Sequence, residues 1–209
     1  MTTTASASKT TAQKQRLRSL MAKHAAAIPQ YQRVRAEAQM LRRALALPEL
    51  RAARGVLACL SFGDEPETRP LIQALADAGK QIYLPRADPK DRQLHAHAWP
   101  CELHQLRFGL QQPARTSPQL DDDEIMARID TAIILGPAFD RSGVRLGHGS
   151  GYVDRFLAKY PVYAIGLSFE IQVVSELPRA LHDVPMSMVL TERQVLRIRA
   201  PNPASPSAA

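Results

Sequence analysis

Thr131-Ala-Ile-Ile-Leu-Gly-Pro-Ala-Phe-Asp-Arg-Ser-Gly-Val-Arg-Leu-Gly-His-Gly-Ser-Gly-Tyr-Val-Asp-Arg155 decides how the chain is read. It opens on a short apolar run, Thr131 to Leu135, of the kind that makes a strand buried on both faces. Asp140-Arg-Ser-Gly143 has the composition of a type I turn, with Asp first and Gly last. Gly147, Gly149 and Gly151 then alternate, and a helix is predicted from about Tyr152 to Lys159. Alternating glycines let successive backbone N–H groups converge on one anion, and a helix N-terminus adds about half a positive charge at the same place. Arg145 supplies a cation before the glycines, and Asp154, one turn into the helix, supplies a hard oxygen ligand suited to Mg²⁺. Strand, glycine loop and helix in this order predict a nucleotide site, although alternating glycines also serve tight turns alone. The spacing is neither a Walker A loop nor G-x-G-x-x-G.

Outward from this stretch, further short apolar runs recur at Val56–Leu60, Gln81–Leu84 (stopped by Pro85), Val162–Leu167 and Ser187–Leu190. Helical stretches such as Thr68–Ala78 separate them. This alternation predicts an α/β fold with three layers, a mostly parallel sheet carrying helices on both faces. Leu94-His-Ala-His-Ala-Trp99 alternates with period two and reads as an edge or antiparallel strand; His95 and His97, lacking a third ligand nearby, read as surface residues. Two helices precede the alternating region. The first starts at the capping-box spacing Thr10-Thr-Ala-Gln13 and runs to about Ile28. The second carries Tyr31, Val34, Ala38, Leu41 and Leu45 on one stripe and ends near Pro48; Arg33, Arg35, Arg42 and Arg43 lie largely off that stripe and read as solvated. Asp121-Asp-Asp-Glu124 fits the first turn of a helix. The expected division is a flexible tail over 1–11, a single domain over 12–195 and a flexible Pro/Ser/Ala tail over 196–209.

With 209 residues the chain is long enough to bury a core without disulfide or metal staples. No apolar run approaches the roughly 18 residues of a membrane-spanning helix. Cys59, inside an apolar run, reads as a buried free thiol, and a reducing cytoplasm is expected. Charge is unevenly distributed: residues 1–54 hold 11 Lys/Arg against 2 Asp/Glu, and the remainder 16 against 18. A basic end of this kind suits nucleic acid, a membrane surface, a targeting peptide or an acidic ligand such as a nucleoside polyphosphate. No helix-turn-helix, zinc-ligand or aromatic-bearing basic motif accompanies these charges, so nucleic acid is the weaker reading.

Ala-Phe-Asp140 followed by Gly-Val-Arg145-Leu-Gly-His-Gly-Ser-Gly-Tyr-Val-Asp154-Arg-Phe-Leu closely resembles the signature of the 5-formyltetrahydrofolate cyclo-ligase family, also called 5,10-methenyltetrahydrofolate synthetase. The likeness runs over about residues 14–192. It takes in Lys14-Gln-Arg-Leu-Arg18, Glu65-Pro-Glu-Thr68, Leu84-Pro-Arg86, Phe108-Gly109, Pro113, Ile165 to Gln172, Leu177-Pro178, His182-Asp-Val-Pro185 and Thr191-Glu192. The resemblance implies an enzyme that uses MgATP to cyclise 5-formyltetrahydrofolate to 5,10-methenyltetrahydrofolate, releasing ADP and phosphate through a phosphorylated formyl intermediate. A monomer without nucleic-acid or membrane partners is expected.

Position by position, the resemblance makes Lys14, Arg18, Arg145, Gly147, His148, Gly149, Ser150, Gly151, Tyr152 and Val153 the ATP contacts. Leu60, Glu65 and residues 148–152 become the folate side, Asp154 and Asp183 the Mg²⁺ ligands, and Arg145 and Asp154 the catalytic pair. His148 is expected to add positive charge at the phosphate site. Each has a plainer alternative: Lys14 and Arg18 as solvated helix charges, Asp183 capping a turn before Pro185, Leu60 as core, and Asp154 paired with Arg145 or Arg155. His148, Ser150, Val153, Gln112, Ala180 and Ser187 depart from the family's usual residues, and substrate affinity is the property they bear on. The rival readings are a re-purposed ATP-binding member of the same fold and a nucleic-acid module built on the basic helices.

Overall fold

The computed structural model describes residues 2–106 and 109–198, with side chains of 2–9 left aside. Phe108 and the stretch 199–209 that was read as tail lie outside the described residues. Helix α1 (Thr2–Ala26) is followed by α2 (Gln30–Ala46) and α3 (Pro48–Ala52). Next come β1 (Gly55–Ala58), α4 (Arg69–Asp77), β2 (Gln81–Asp88) and β3 (Gln93–Ala98). A hairpin of β4 (Leu103–Gln105) and β5 (Gln111–Pro113) leads to α5 (Asp122–Arg128) and β6 (Thr131–Ile134). The chain continues through β7 (Ala138–Asp140), β8 (Arg145–Leu146), α6 (Tyr152–Lys159), β9 (Tyr163–Leu167), β10 (Val173–Val174), β11 (Met188–Leu190) and β12 (Val195–Arg197).

Seven strands form the main sheet in the order β12-β11-β9-β6-β1-β2-β3, and a small sheet β10-β7-β8 stands beside it. The pairs from β11 through β2 are parallel, while β12 and β3 run antiparallel at the two ends. Side chains alternate between two cores, as a pleated strand requires. Val56, Ala58, Ile133 and Ile165 meet Met40, Ala44, Leu50, Leu71 and Leu75 of α2, α3 and α4. Leu57, Ala132, Ile134 and Ala164 meet Ile125 of α5 and Phe156, Leu157 and Tyr160 in and after α6. The three-layer α/β architecture expected from the alternating runs is therefore present. The acidic run is a helix start: Asp121 accepts from the Glu124 N–H and Glu124 from the Asp121 N–H, a reciprocal capping box.

Several expectations are corrected. Helix α1 already runs through Thr10–Gln13, so that spacing does not begin it. Residues 196–198, assigned to the tail, include the end of β12, and the Ile198 N–H donates to Ser187 O. Strand β2 continues through Pro85 instead of stopping there. The Trp99 N–H donates to Ile82 O, which makes residues 82, 84 and 86 face β3. Pro85 faces the opposite side, beyond the last β1 pairing at Tyr83, where no ladder donor is needed. Arg33 and Arg43 are engaged, not solvated: Arg43 donates to Glu192 O at 3.0 Å, and Arg33 to three carbonyls.

His97 is the clearest reversal, being only 1% exposed. Its Nε2 lies 3.4 Å from Arg86 Nε, a donor only, so Nε2 accepts and Nδ1–H donates to Ser117 O and Pro118 O at 3.1 and 3.0 Å. His95 pairs with Asp91 at 2.7 Å. Burial pushes the His97 imidazole below its ordinary value; the Pro118 and Ser117 carbonyls oppose this, and Arg86 adds to it. A histidine whose folded pKa is depressed is protonated first in the unfolded chain, so the stability tied to neutral His97 is present above about pH 6.5 and is lost as pH falls through that value. Thermal melts from pH 7.5 to 5 should therefore show a decline, of at most about 1.4 kcal/mol per pH unit from this proton, that is shallower in His97→Gln.

Candidate active site

In the main sheet β1 lies between β2 and β6, and the chain leaves the C-terminal ends of β1 and β6 in divergent loops, 59–68 and 135–151. Such a switch point is where open α/β sheets hold ligands. The first loop is fixed by Thr68, which is fully buried. Its hydroxyl donates to Cys59 O and accepts from the Ser61 N–H, while Ser61 Oγ accepts from the Thr68 N–H and donates to Glu67. Phe62 and Glu65 then meet the second loop at His148. Glu65 Oε2 accepts from the Phe62 N–H at 3.2 Å, and its Oε1 stands 3.4 Å from His148 Nε2 on the second loop. The His148 ring leans on Phe62, centroids 5.2 Å apart. Burial, with Glu65 adding to it, pushes the Cys59 thiol up to about 11, so Cys59 is neutral and no nucleophile at neutral pH.

The second loop is organised around Arg145. Its side chain is 5% exposed and runs between two glycines: a Cβ on Gly136 would lie 3.1 Å from its Cγ, and one on Gly147 2.9 Å from a terminal nitrogen. Only the absence of a side chain at Gly147 lets the guanidinium lie flat against that backbone. Gly149 and Gly151 have φ of +103° and +66°, and Gly151 is the N-cap of α6. Arg145 donates to Asp154 Oδ2 at 3.2 Å, while its buried Nε has no hydrogen-bond partner. Burial pulls the guanidinium below its ordinary value, and the charges of Asp154, Asp183 and Glu65 oppose that pull; the group stays cationic. An unsatisfied buried donor costs about 1–3 kcal/mol.

Helix α1 closes the site from outside. Leu17 and Met21 pack with Ala138, Val144, Leu146, Val174 and Leu177, which anchors the helix on the small sheet. Lys14 and Arg18, four residues apart, share one face, which meets the second loop at Gly147 and the later segment at Asp183. Arg18 Nε donates to Gly147 O at 2.7 Å, and its guanidinium lies 3.5 Å from where a Gly149 Cβ would sit. Lys14 Nζ donates to Asp183 Oδ2 at 2.6 Å. Burial alone would raise the Asp183 carboxyl, but the Lys14 ammonium and the Ala180 N–H outweigh it and hold it below the usual carboxylate range. Both plainer alternatives thus hold as contacts: Asp183 also caps a turn, and Asp154 pairs with Arg145.

Asp140 joins the pieces. Its Oδ1 accepts from the Ser142 N–H, Ser142 Oγ–H and Val144 N–H at 2.7–3.0 Å, which fixes the turn before Arg145. Its Oδ2 accepts from the Leu177 N–H at 3.0 Å, and Gly143 O from the Met186 N–H at 2.8 Å. One turn therefore pins both ends of the 177–186 segment that carries Asp183, and the Val184 N–H docks on Asp154 Oδ1 at 3.3 Å. Asp154 and Asp183 are brought to one edge of the crevice this way. Two half-buried carboxylates suit Mg²⁺, which keeps several waters and takes one or two carboxylates plus phosphate oxygens. Among the described residues no three His, Cys, Asp or Glu gather as a metal cage.

Of the other expected residues, Leu60 is packed in the core. Val153 packs against the second core, Tyr152 lies under the Arg155 guanidinium at 5.2 Å, and Ser150 O accepts from Arg155 at 3.0 Å. Phe62, Arg33 and the linking role of Asp140 have no sequence signal beyond the motif membership of Asp140.

Residues 10–192 match the 5-formyltetrahydrofolate cyclo-ligase family. This chain is a member of that family. It is 33% identical over 165 residues to the 5-formyltetrahydrofolate cyclo-ligase of Escherichia coli, covering 75% of this chain and 88% of that one. The cyclo-ligase of Haemophilus influenzae is 31% identical over 188 residues, with 86% of this chain and 98% of the relative covered. The NMR structure of Aquifex aeolicus 5,10-methenyltetrahydrofolate synthetase superposes with a TM-score of 0.76 at 24% identity, covering 93% and 97% of the two chains; that likeness shows the cyclo-ligase fold.

The two oxygens of Asp140 separate turn from loop. An Asn there keeps Oδ1 for residues 142 and 144 but sets an NH₂ against the Leu177 N–H. Asp140→Asn should cost about 1–3 kcal/mol in a denaturant melt. Its amide exchange should accelerate over 177–186 more than over 140–144.

Proposed function

We propose that this cyclo-ligase family member converts 5-formyltetrahydrofolate and MgATP to 5,10-methenyltetrahydrofolate, ADP and phosphate. The observation that carries the reading is the buried, half-satisfied Arg145 guanidinium beside the Gly147–Gly151 loop and the N-terminus of α6. A triphosphate is the ligand class that such a cation, a helix N-terminus and the flanking Lys14 and Arg18 would neutralise together.

In this reading the formyl oxygen attacks the γ-phosphorus, ADP leaves, and the formyl carbon carries a phosphate in place of an amide oxygen. N10 then adds to that carbon and gives up its proton to solvent, the ring closes, and phosphate departs with the oxygen that was the formyl oxygen. The protein's work is alignment and charge neutralisation, which supply most of the acceleration in phosphoryl transfer. Arg145 and Arg18 hold the phosphates over the loop backbone. Lys14 exchanges its carboxylate partner for a phosphate oxygen. Asp154 and Asp183 would hold the magnesium, which supplies charge neutralisation on the phosphates when bound. Glu65, presented with Phe62, accepts hydrogen bonds from the pterin side of the folate, and His148 lies between the two substrates. A single domain that takes in β12, a monomeric state and a cytoplasmic setting belong to the same reading; among the described residues no helix is long and apolar enough to cross a membrane.

Appearance of the methenyl chromophore from 5-formyltetrahydrofolate is the test. Formation should require ATP and should fall about 100-fold or more in Asp154→Asn, the scale of losing one preorganised electrostatic contact. ATP binding without product would assign the fold to a re-purposed member acting on another metabolite.

A further inference from the structure

Helix α1 touches the second loop with its middle, and among the described residues Arg33 links its end to the first loop. Arg33, in the first turn of α2, is largely buried, its side chain 15% exposed. One terminal nitrogen donates to Ala25 O at 2.8 Å, in the last turn of α1, where the dipole favours a cation; that carbonyl also accepts from the Ile28 N–H at 3.2 Å. The other reaches Asp64 O at 3.2 Å and Glu65 O at 3.4 Å, and the guanidinium lies over Phe169 at 4.9 Å. Asp64 Oδ1 is 3.9 Å away, and Glu37, one turn further along α2, accepts from the Glu67 N–H at 3.2 Å. The fork geometry of guanidinium suits this task, because its donors point in fixed, divergent directions from one plane.

From this bridge we infer that Arg33 is a positioning residue that couples the nucleotide side of the crevice to the folate side. The inference rests on the assignment of those two sides given above. Lys14 and Arg18 sit on the same rigid helix as Ala25, so a shift of α1 when a ligand takes Lys14 from Asp183 moves the Ala25 carbonyl. Arg33 passes that movement to the backbone of Glu65, the residue that meets His148 across the crevice. Binding on either side then favours one arrangement of α1 and the first loop, and the effect is reciprocal by linkage. Arg33 acts through the carbonyls it holds.

The coupling is read by binding, apart from turnover. Affinity for an unhydrolysable ATP analogue with magnesium is measured with and without saturating 5-formyltetrahydrofolate, in the natural protein, Arg33→Gln and Arg33→Lys. The natural protein should bind the analogue about tenfold more tightly in the presence of folate, within the usual range of coupling. Both variants should bring that ratio to within about twofold of unity. A lysine ammonium keeps the charge over Phe169 but is a single point that cannot span both sets of carbonyls, so Arg33→Lys should recover the melting temperature without recovering the ratio. A ratio preserved in Arg33→Lys, or absent from the natural protein, overturns the inference. Coupled binding without methenyl formation would leave Arg33 in this role and remove the assigned reaction instead.

Discussion

A buried positive charge is the constraint on which the site depends. Taking the Arg145 guanidinium out of water is costly unless its hydrogen-bonding groups find partners, and the surrounding chain is arranged around that requirement. Asp154 supplies the countercharge from the first turn of α6. Gly136 and Gly147 open the slot in which the side chain lies, and Gly149 and Gly151 take the backbone over it in conformations closed to most residues. The remaining unpaired Nε is the polar atom that the protein alone leaves unsatisfied there.

Asp183 and Lys14 show the same economy on the outer wall. Each would be a poorly solvated charge without the other, and together they hold α1 against the 177–186 segment. Both groups are also suited to a metal-bound triphosphate. The ion pair thus keeps both groups neutralised on the folded chain, beside the Met21 cluster that seats the helix on the small sheet.

The central strands were legible because β1, β6 and β9 are buried on both faces, which leaves an uninterrupted apolar run in the sequence. Strands β4, β5, β10 and β12 are two or three residues long and half exposed, and carry no such signal. Pro85 misled because its effect depends on which side of β2 its nitrogen faces, a property of pairing rather than of composition. At the candidate site, the glycine loop, Arg145 and Asp154 are contiguous enough to read as one unit, and the spacing of Lys14 and Arg18 places them on one face. His97 and Arg33 were misplaced as surface residues for one reason. Their partners are backbone carbonyls at Ser117, Pro118, Ala25, Asp64 and Glu65, and a carbonyl acceptor leaves no mark in the sequence.

The small sheet meets the main one at a tight contact. Phe139 of β7 is fully buried, and a Cβ on Gly166 of β9 would lie 2.5 Å from its ring. Phe139 is the neighbour of Asp140, so the turn, the glycine loop and the 177–186 segment all descend from a ring seated in a notch. Sizes at these two positions are therefore mutually exclusive. In any descendant of this chain a side chain at 166 requires a smaller residue at 139, and the order of substitution is constrained: the ring must shrink before the notch can fill.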